Sequence, residues 1–184
     1  MNVICGNLRK QFTMTAVAGQ IIASDDWWTL YANGTLHIFC DGDMPEDDFG
    51  YMGQAVEIQS VIIANSVTGI SKWAFDERVT IASVMIPNSV TTIGYDAFYR
   101  CKSLTSIKIP DSVTTIEAFA FGECERLTDV KIPNSITNIE DWTFYCCTGL
   151  KSVTLSNNIA SIGEQAFDGC SSLTDIYYAG TAEQ

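Results

Sequence analysis

Phenylalanine stands at positions 75, 98, 121, 144 and 167, each twenty-three residues from the last. A fixed period of that length marks a repeat architecture, because one copy is a single supersecondary unit that cannot bury its apolar face alone and must stack on its neighbours. In phase, the units are residues 58–80, 81–103, 104–126, 127–149 and 150–172, with a partial sixth at 173–184. Ahead of them lie an N-terminal segment, 1–24, and a stretch of cap and acidic loop, 25–57.

Each unit opens with an aliphatic residue: Ile58, Ile81, Leu104, Leu127, Leu150 and Leu173. A second follows three residues later (Val61, Val84, Ile107, Val130, Val153, Ile176), and a third two further on (Ile63, Ile86, Ile109, Ile132, Leu155), replaced by Tyr178 in the last unit. Alternation of this kind puts the second and third aliphatics on one side of a short strand. Pro87, Pro110 and Pro133 come next; proline has no N–H to donate, so it fits where pairing stops. Ser-Val-Thr-x-Ile segments such as residues 89–93 and 112–116 favour another extended stretch through their β-branched side chains. A Phe, a Cys and the next unit's Leu then recur at spacings of three, which predicts one turn of 3₁₀ or α-helix with an inward face.

The frame Leu-x-x-Ile-x-Ile-Pro-x-Ser-Val-Thr-x-Ile-Gly-x-x-Ala-Phe-x-x-Cys is nearly complete over residues 104–124, with Glu117 where Gly is usual. It resembles the bacterial leucine-rich repeats of the BspA-like and Treponema type. The resemblance covers about two thirds of the chain. It implies a repeat solenoid, mainly β with short helical or 3₁₀ turns, shaped as a right-handed curved slab whose strands line one face. It also implies a protein-binding or adhesion role rather than catalysis, at the cell surface or secreted; a cytoplasmic location is the alternative.

Trp27, Trp28, Leu30 and Tyr31 precede Asn33-Gly34, and Thr35, Leu36, His37, Ile38 and Phe39 follow. Asn-Gly between apolar runs predicts a β-hairpin with a type I′ turn. Its aromatics would cap the first unit's open core. In the first segment Arg9 and Lys10 precede residues 12–23, a weak secretion signal interrupted by Thr13, Thr15, Gly19 and Gln20. A disordered or cap-joining segment is the better reading, with residues 16–23 suited to add a strand to the cap. At the other end, residues 176–181 resemble the closing motif of such repeats, and the last strand is expected to present an edge open to self-association.

The chain has 22 acidic and 10 basic residues, a formal net charge of -12. That balance excludes a protein that holds nucleic acid through lysine and arginine clusters. The apolar runs are too short for a membrane span. Cys101, Cys124, Cys147 and Cys170 belong to the repeat and are expected as a reduced column in the core, whereas Cys146 aligns with Arg100, Glu123 and Gly169 and is expected at the surface. Zinc needs paired Cys-x-x-Cys or histidines at ligand spacing, and His37 is the chain's one histidine. Asp41, Asp43, Glu46, Asp47 and Asp48 lack the spacing of a calcium loop. Asn33-Gly34-Thr35 matches a glycosylation acceptor but is explained by the turn. No catalytic residue, metal site or cofactor is expected.

If the chain binds a partner, the strand face is the first place to expect it, although the mixed, small, polar character of its residues fits a plain solvated sheet equally well. Its outward row is Met85, Lys108, Lys131, Thr154 and Tyr177, with a neighbouring row containing Ser106, Asp129 and Asp175. Three roles fit these residues. They are a protein-binding or adhesion module, an architectural segment of a larger surface protein, and an acidic stand-alone inhibitor that occupies a basic protein surface.

Overall fold

A computed structural model describes residues 2–5, 8–11, 20–46 and 57–178. Strands β1 (Asn2–Cys5) and β2 (Leu8–Gln11) pair antiparallel in a sheet of their own. The cap is an antiparallel meander of β3 (Ile21–Asp25), β4 (Trp28–Tyr31) and β5 (Thr35–Ile38), followed by the short β6 (Gly42–Asp43). The expected hairpin is β4–β5, but its turn is not type I′. Three residues connect the strands, Gly34 N–H donates to the Tyr31 carbonyl (2.9 Å), and only Gly34 has a positive φ, +77°. This is a type I turn closed by a left-handed glycine. Asn33 instead uses its side chain, its Oδ1 accepting from Thr35 N–H at 3.0 Å, which fixes the turn without a left-handed asparagine.

β5 then changes direction of pairing. It runs parallel to β7 (Ser60–Ile63), setting Leu36 beside Val61 and Ile38 beside Ile63. The cap therefore presents to the first unit the same apolar pair that each unit presents to the next. β6 pairs parallel with β8 (Val67–Ile70), with a register shift between Gly42 and Asp43. The remaining strands are β9 (Ser83–Met85), β10 (Thr92–Ile93), β11 (Thr115–Ile116), β12 (Asp129–Lys131), β13 (Asn138–Ile139), β14 (Ser152–Leu155), β15 (Ser161–Ile162) and β16 (Asp175–Tyr178). All pairs between units are parallel, with partners one repeat apart, as in Thr92 with Thr115, Asp129 with Ser152, and Ser152 with Asp175. β9 and β12 stop two residues before Pro87 and Pro133, as the missing N–H requires. The ladders break in two places: residues 104–110 form no strand, although Ile107 and Ile109 stay buried, and in the second layer β11 is not paired with β13.

The predicted helical turn is absent; no helix occurs among the described residues. Each unit instead places two residues four apart in the left-handed region: Trp73 and Glu77, Asp96 and Arg100, Phe119 and Glu123, Trp142 and Cys146, Gln165 and Gly169. The reason lies in the hydrogen bonds. Phe75 N–H donates to Ala97 O of the following unit (2.8 Å), and Phe98 to Ala120 O, Phe121 to Thr143 O and Phe144 to Ala166 O repeat the contact at 2.8–2.9 Å. A helix would spend those N–H groups within its own unit. A left-handed non-glycine residue costs roughly 1–2 kcal/mol, and the bonds between units offset that cost.

The core lies between the two strand layers and these turns. Phe75, Phe98, Phe121, Phe144 and Phe167 form a continuous stack with ring centres 5.1–5.5 Å apart and planes within 16°. Beside it runs the cysteine column. Cys101, Cys124, Cys147 and Cys170 are free thiols, and each donates to the Phe carbonyl of the preceding unit at 3.0–3.3 Å. Thr143, in place of the usual Ala, stays buried because its hydroxyl donates to Glu140 O at 2.7 Å.

Candidate functional site

The strand face is where parallel pairing puts side chains into rows. Lys131, Thr154 and Tyr177 are in register on β12, β14 and β16, and Asp129, Ser152 and Asp175 form the neighbouring row. Met85, at the end of β9, is 66% exposed. Ser106 and Lys108 lie in the unpaired stretch 104–110, so they continue the rows in sequence but not in the ladder.

That break coincides with a shallow depression of about 680 Å³, lined by Lys108, Pro110, Asp111, Asp129, Lys131 and Pro133 among others. A second of about 500 Å³ follows between β12 and β14, lined by Asp129, Lys131, Lys151, Ser152 and Thr154. The two share Asp129 and Lys131. The structure thus brings Lys108, Asp129, Lys131 and Thr154 together, while Ser106, Met85, Asp175 and Tyr177 lie outside both depressions. Lys151, which sequence reasoning passed over, joins them from the loop before β14.

The lysines of this face are not neutralised by ion pairs, a condition that exposed Arg126 shares among the described residues. Lys108, Lys131 and Lys151 have no ion-pair partner among the described residues, whereas Lys72, Arg100 and Lys102 are each paired with glutamate at 2.6–3.0 Å. Asp129 is held in place by the Thr128 hydroxyl, which donates to its carboxylate at 2.8 Å. Thr174 does the same for Asp175 at 2.9 Å. The face offers fixed acceptors and unneutralised ammonium groups side by side.

Other candidate residues are absorbed by structure. His37 packs edge-on to Tyr31 at 5.1 Å, and burial lowers its pKa. Asp43 accepts from the Thr68 hydroxyl at 2.7 Å, and Glu46 pairs with Lys72 at 2.9 Å; Asp47 and Asp48 lie outside the described residues. Cys146 is half-buried rather than open, because it sits at a left-handed position beneath Gly169, where a Cβ would come within 2.6 Å of its sulfur. Among the described residues no three His, Cys, Asp or Glu side chains converge as a metal set, and no helix is long and apolar enough to cross a membrane.

Comparison with known proteins agrees with this architecture. No curated protein matches the chain. A leucine rich cell surface protein of Faecalibacterium prausnitzii is 30% identical, with a TM-score of 0.66 over 84% of this chain and 38% of its own. The leucine rich repeat protein of T. pallidum is 27% identical, with a TM-score of 0.64 over 81% of this chain and 66% of its own. The pneumococcal vaccine antigen PcpA, 20% identical, shares the fold at a TM-score of 0.55. This chain therefore spans about two fifths of the first relative and two thirds of the second. Residues 51–174 match the family described as BspA type leucine rich repeat region, in six copies, and the chain belongs to that family.

Proposed function

We propose that the chain is a non-catalytic protein-binding module of adhesion type that acts at the cell surface and engages its partner through the strand face. The observation that carries this is the lysine-bearing pair of depressions around Asp129 and Lys131 on a chain of net charge -12. Unpaired ammonium groups on an otherwise acidic molecule favour a partner with acidic side chains at matching intervals, since complementary potentials steer encounter and set register. The surface location is supported by the description of the F. prausnitzii relative as a cell surface protein.

Capture of partners from bacterial envelope and host-matrix extracts tests the proposal. The doubly substituted Lys108→Glu, Lys131→Glu chain should lose capture at least ten-fold, and raising the salt should weaken the parent's capture. Undiminished capture by the double variant would refute the strand face as the site.

A second reading concerns assembly. Among the described residues β16 has no strand on its outer side, and Ile176 and Tyr177 are 58% and 57% exposed. A further coil, as in an architectural segment of a longer surface protein, or a second copy of this chain would cover that edge. Sedimentation at high concentration separates them: a strictly monomeric chain would rule out self-association.

A further inference from the structure

The turn face carries a second surface of opposite character. Trp73, Tyr95, Phe119 and Trp142 follow one another along the stacked turns, with ring centres 6.3, 6.0 and 5.0 Å apart. Tyr99 and Tyr145 flank Phe119 at 6.0 and 6.3 Å. None belongs to the buried Phe column. Trp73 is 52% and Tyr95 38% exposed, and the other four are half-buried. The band therefore crosses four units without serving the core.

Two of its rings already hold cations. Lys72 Nζ lies 5.1 Å from the Trp73 ring centre, and the Arg100 guanidinium 4.9 Å from that of Tyr99. Both cations are also paired with carboxylates, Lys72 with Glu46 at 2.9 Å and Arg100 with Glu77 at 2.7 Å and Glu123 at 3.0 Å. The chain thus displays on itself a composite contact of ring face and carboxylate. Further along the band, Glu117, Glu140 and Asp141 have no cationic partner among the described residues, while Tyr95, Phe119 and Trp142 lie in the same turns.

We propose that this aromatic and acidic band is a docking site for an extended, arginine-bearing peptide segment of a protein partner, its guanidinium groups lying over the rings and pairing with the flanking carboxylates. Charge complementarity selects a cation, and the planar guanidinium both stacks on rings and bonds carboxylates through two donors, which an ammonium does not. The geometry suits an extended chain. Side chains on one face of a strand recur about every 6.6 Å, close to the 5.0–6.3 Å between successive rings.

The test is calorimetric titration of the whole chain with a synthetic peptide of alternating arginine and serine, compared with its lysine counterpart and with a neutral oligosaccharide. The ring variants are Trp73→Asn and Phe119→Asn, chosen because asparagine tolerates the left-handed backbone at both positions. The arginine peptide should bind several-fold more tightly than the lysine peptide. Each ring variant should weaken it about two- to five-fold and the double variant about ten-fold, while Lys108→Ala leaves it unchanged. Equal binding of the two peptides, ring variants that bind like the parent, binding of the oligosaccharide alone, or no binding at all would each overturn the proposal. The comparison of peptides on the parent chain stands even if a ring variant fails to fold.

Discussion

Phe121 is the ring on which both halves of the stack depend. It is fully buried, with Phe98 at 5.4 Å and Phe144 at 5.5 Å and planes within 3° and 6°. Phe121→Ala removes the transfer free energy of the ring and leaves a cavity that its two ring neighbours are too rigid to fill, which places the cost at about 3–5 kcal/mol. Phe167 is the internal control. It is half-buried and has one stacking partner, Phe144 at 5.4 Å, so Phe167→Ala should cost roughly half as much, about 2 kcal/mol. Urea unfolding followed by circular dichroism reads both. With an m-value of about 2 kcal/mol per molar, the midpoint should fall by roughly 2 M for Phe121→Ala and about 1 M for Phe167→Ala. Because repeat stability is a sum of units and interfaces, the central variant should also lower the apparent m-value as the flanking coils begin to unfold separately. Equal midpoint losses for the two variants, or a loss below about 0.5 M for Phe121→Ala, would refute the view that the stack is continuous and close-packed.

Thiol reactivity follows from burial: at pH 8 an alkylating reagent should label Cys146 well before Cys101 or Cys124, whose burial raises their thiol pKa values, that of Cys124 to about 12. Mass spectrometry showing equal rates in the folded chain would remove both from the core. Asp76 has a pKa raised to about 6, first by burial and then by Glu77 and Asp96, and its Oδ1 has no hydrogen-bond partner. A raised acid pKa means that the native state holds the proton more tightly than the unfolded chain, so its contribution is fully present below about pH 4 and is lost as pH rises through 6. Asp76→Asn should therefore stabilise the fold at pH 7 by about 1 kcal/mol, allowing for solvent screening, and leave it unchanged at pH 3.5; denaturation midpoints at the two values decide it.

The columns that pack were legible in the sequence because they repeat without variation. Val61, Val84, Val130 and Val153 are buried where alternation placed them, and the cysteines line up one unit apart. The turn was misread because Phe, Cys and Leu at spacings of three fit a helix and a left-handed bend equally well. What separates the two is whether a peptide N–H bonds within its unit or to the next one, and that is a property of the stack. The hairpin differed from expectation in its turn, which has three connecting residues and in which the amide oxygen of Asn33 does the work assigned to its backbone. On the strand face the sequence placed Lys108 and Lys131 on one row, but not the ladder break beside Lys108 that forms the depression. The aromatic band escaped notice because its columns are interrupted: Trp73, Phe119 and Trp142 share one repeat position with Asp96 and Gln165, Tyr99 and Tyr145 share another with Gly122, and Tyr95 lies one position ahead of the first.

The uniform length of the units carries a consequence for how such a molecule changes size. Excising residues 104–126 whole would join two turns whose left-handed positions, prolines and strands already correspond, whereas removing any other number of residues would put every later side chain out of step with its neighbour. Recombination between copies is thus tolerated in one quantum only. Each such event would lengthen or shorten the strand face and the turn face together, so a partner held along either one would meet a ruler whose graduations are fixed and whose length is free to evolve.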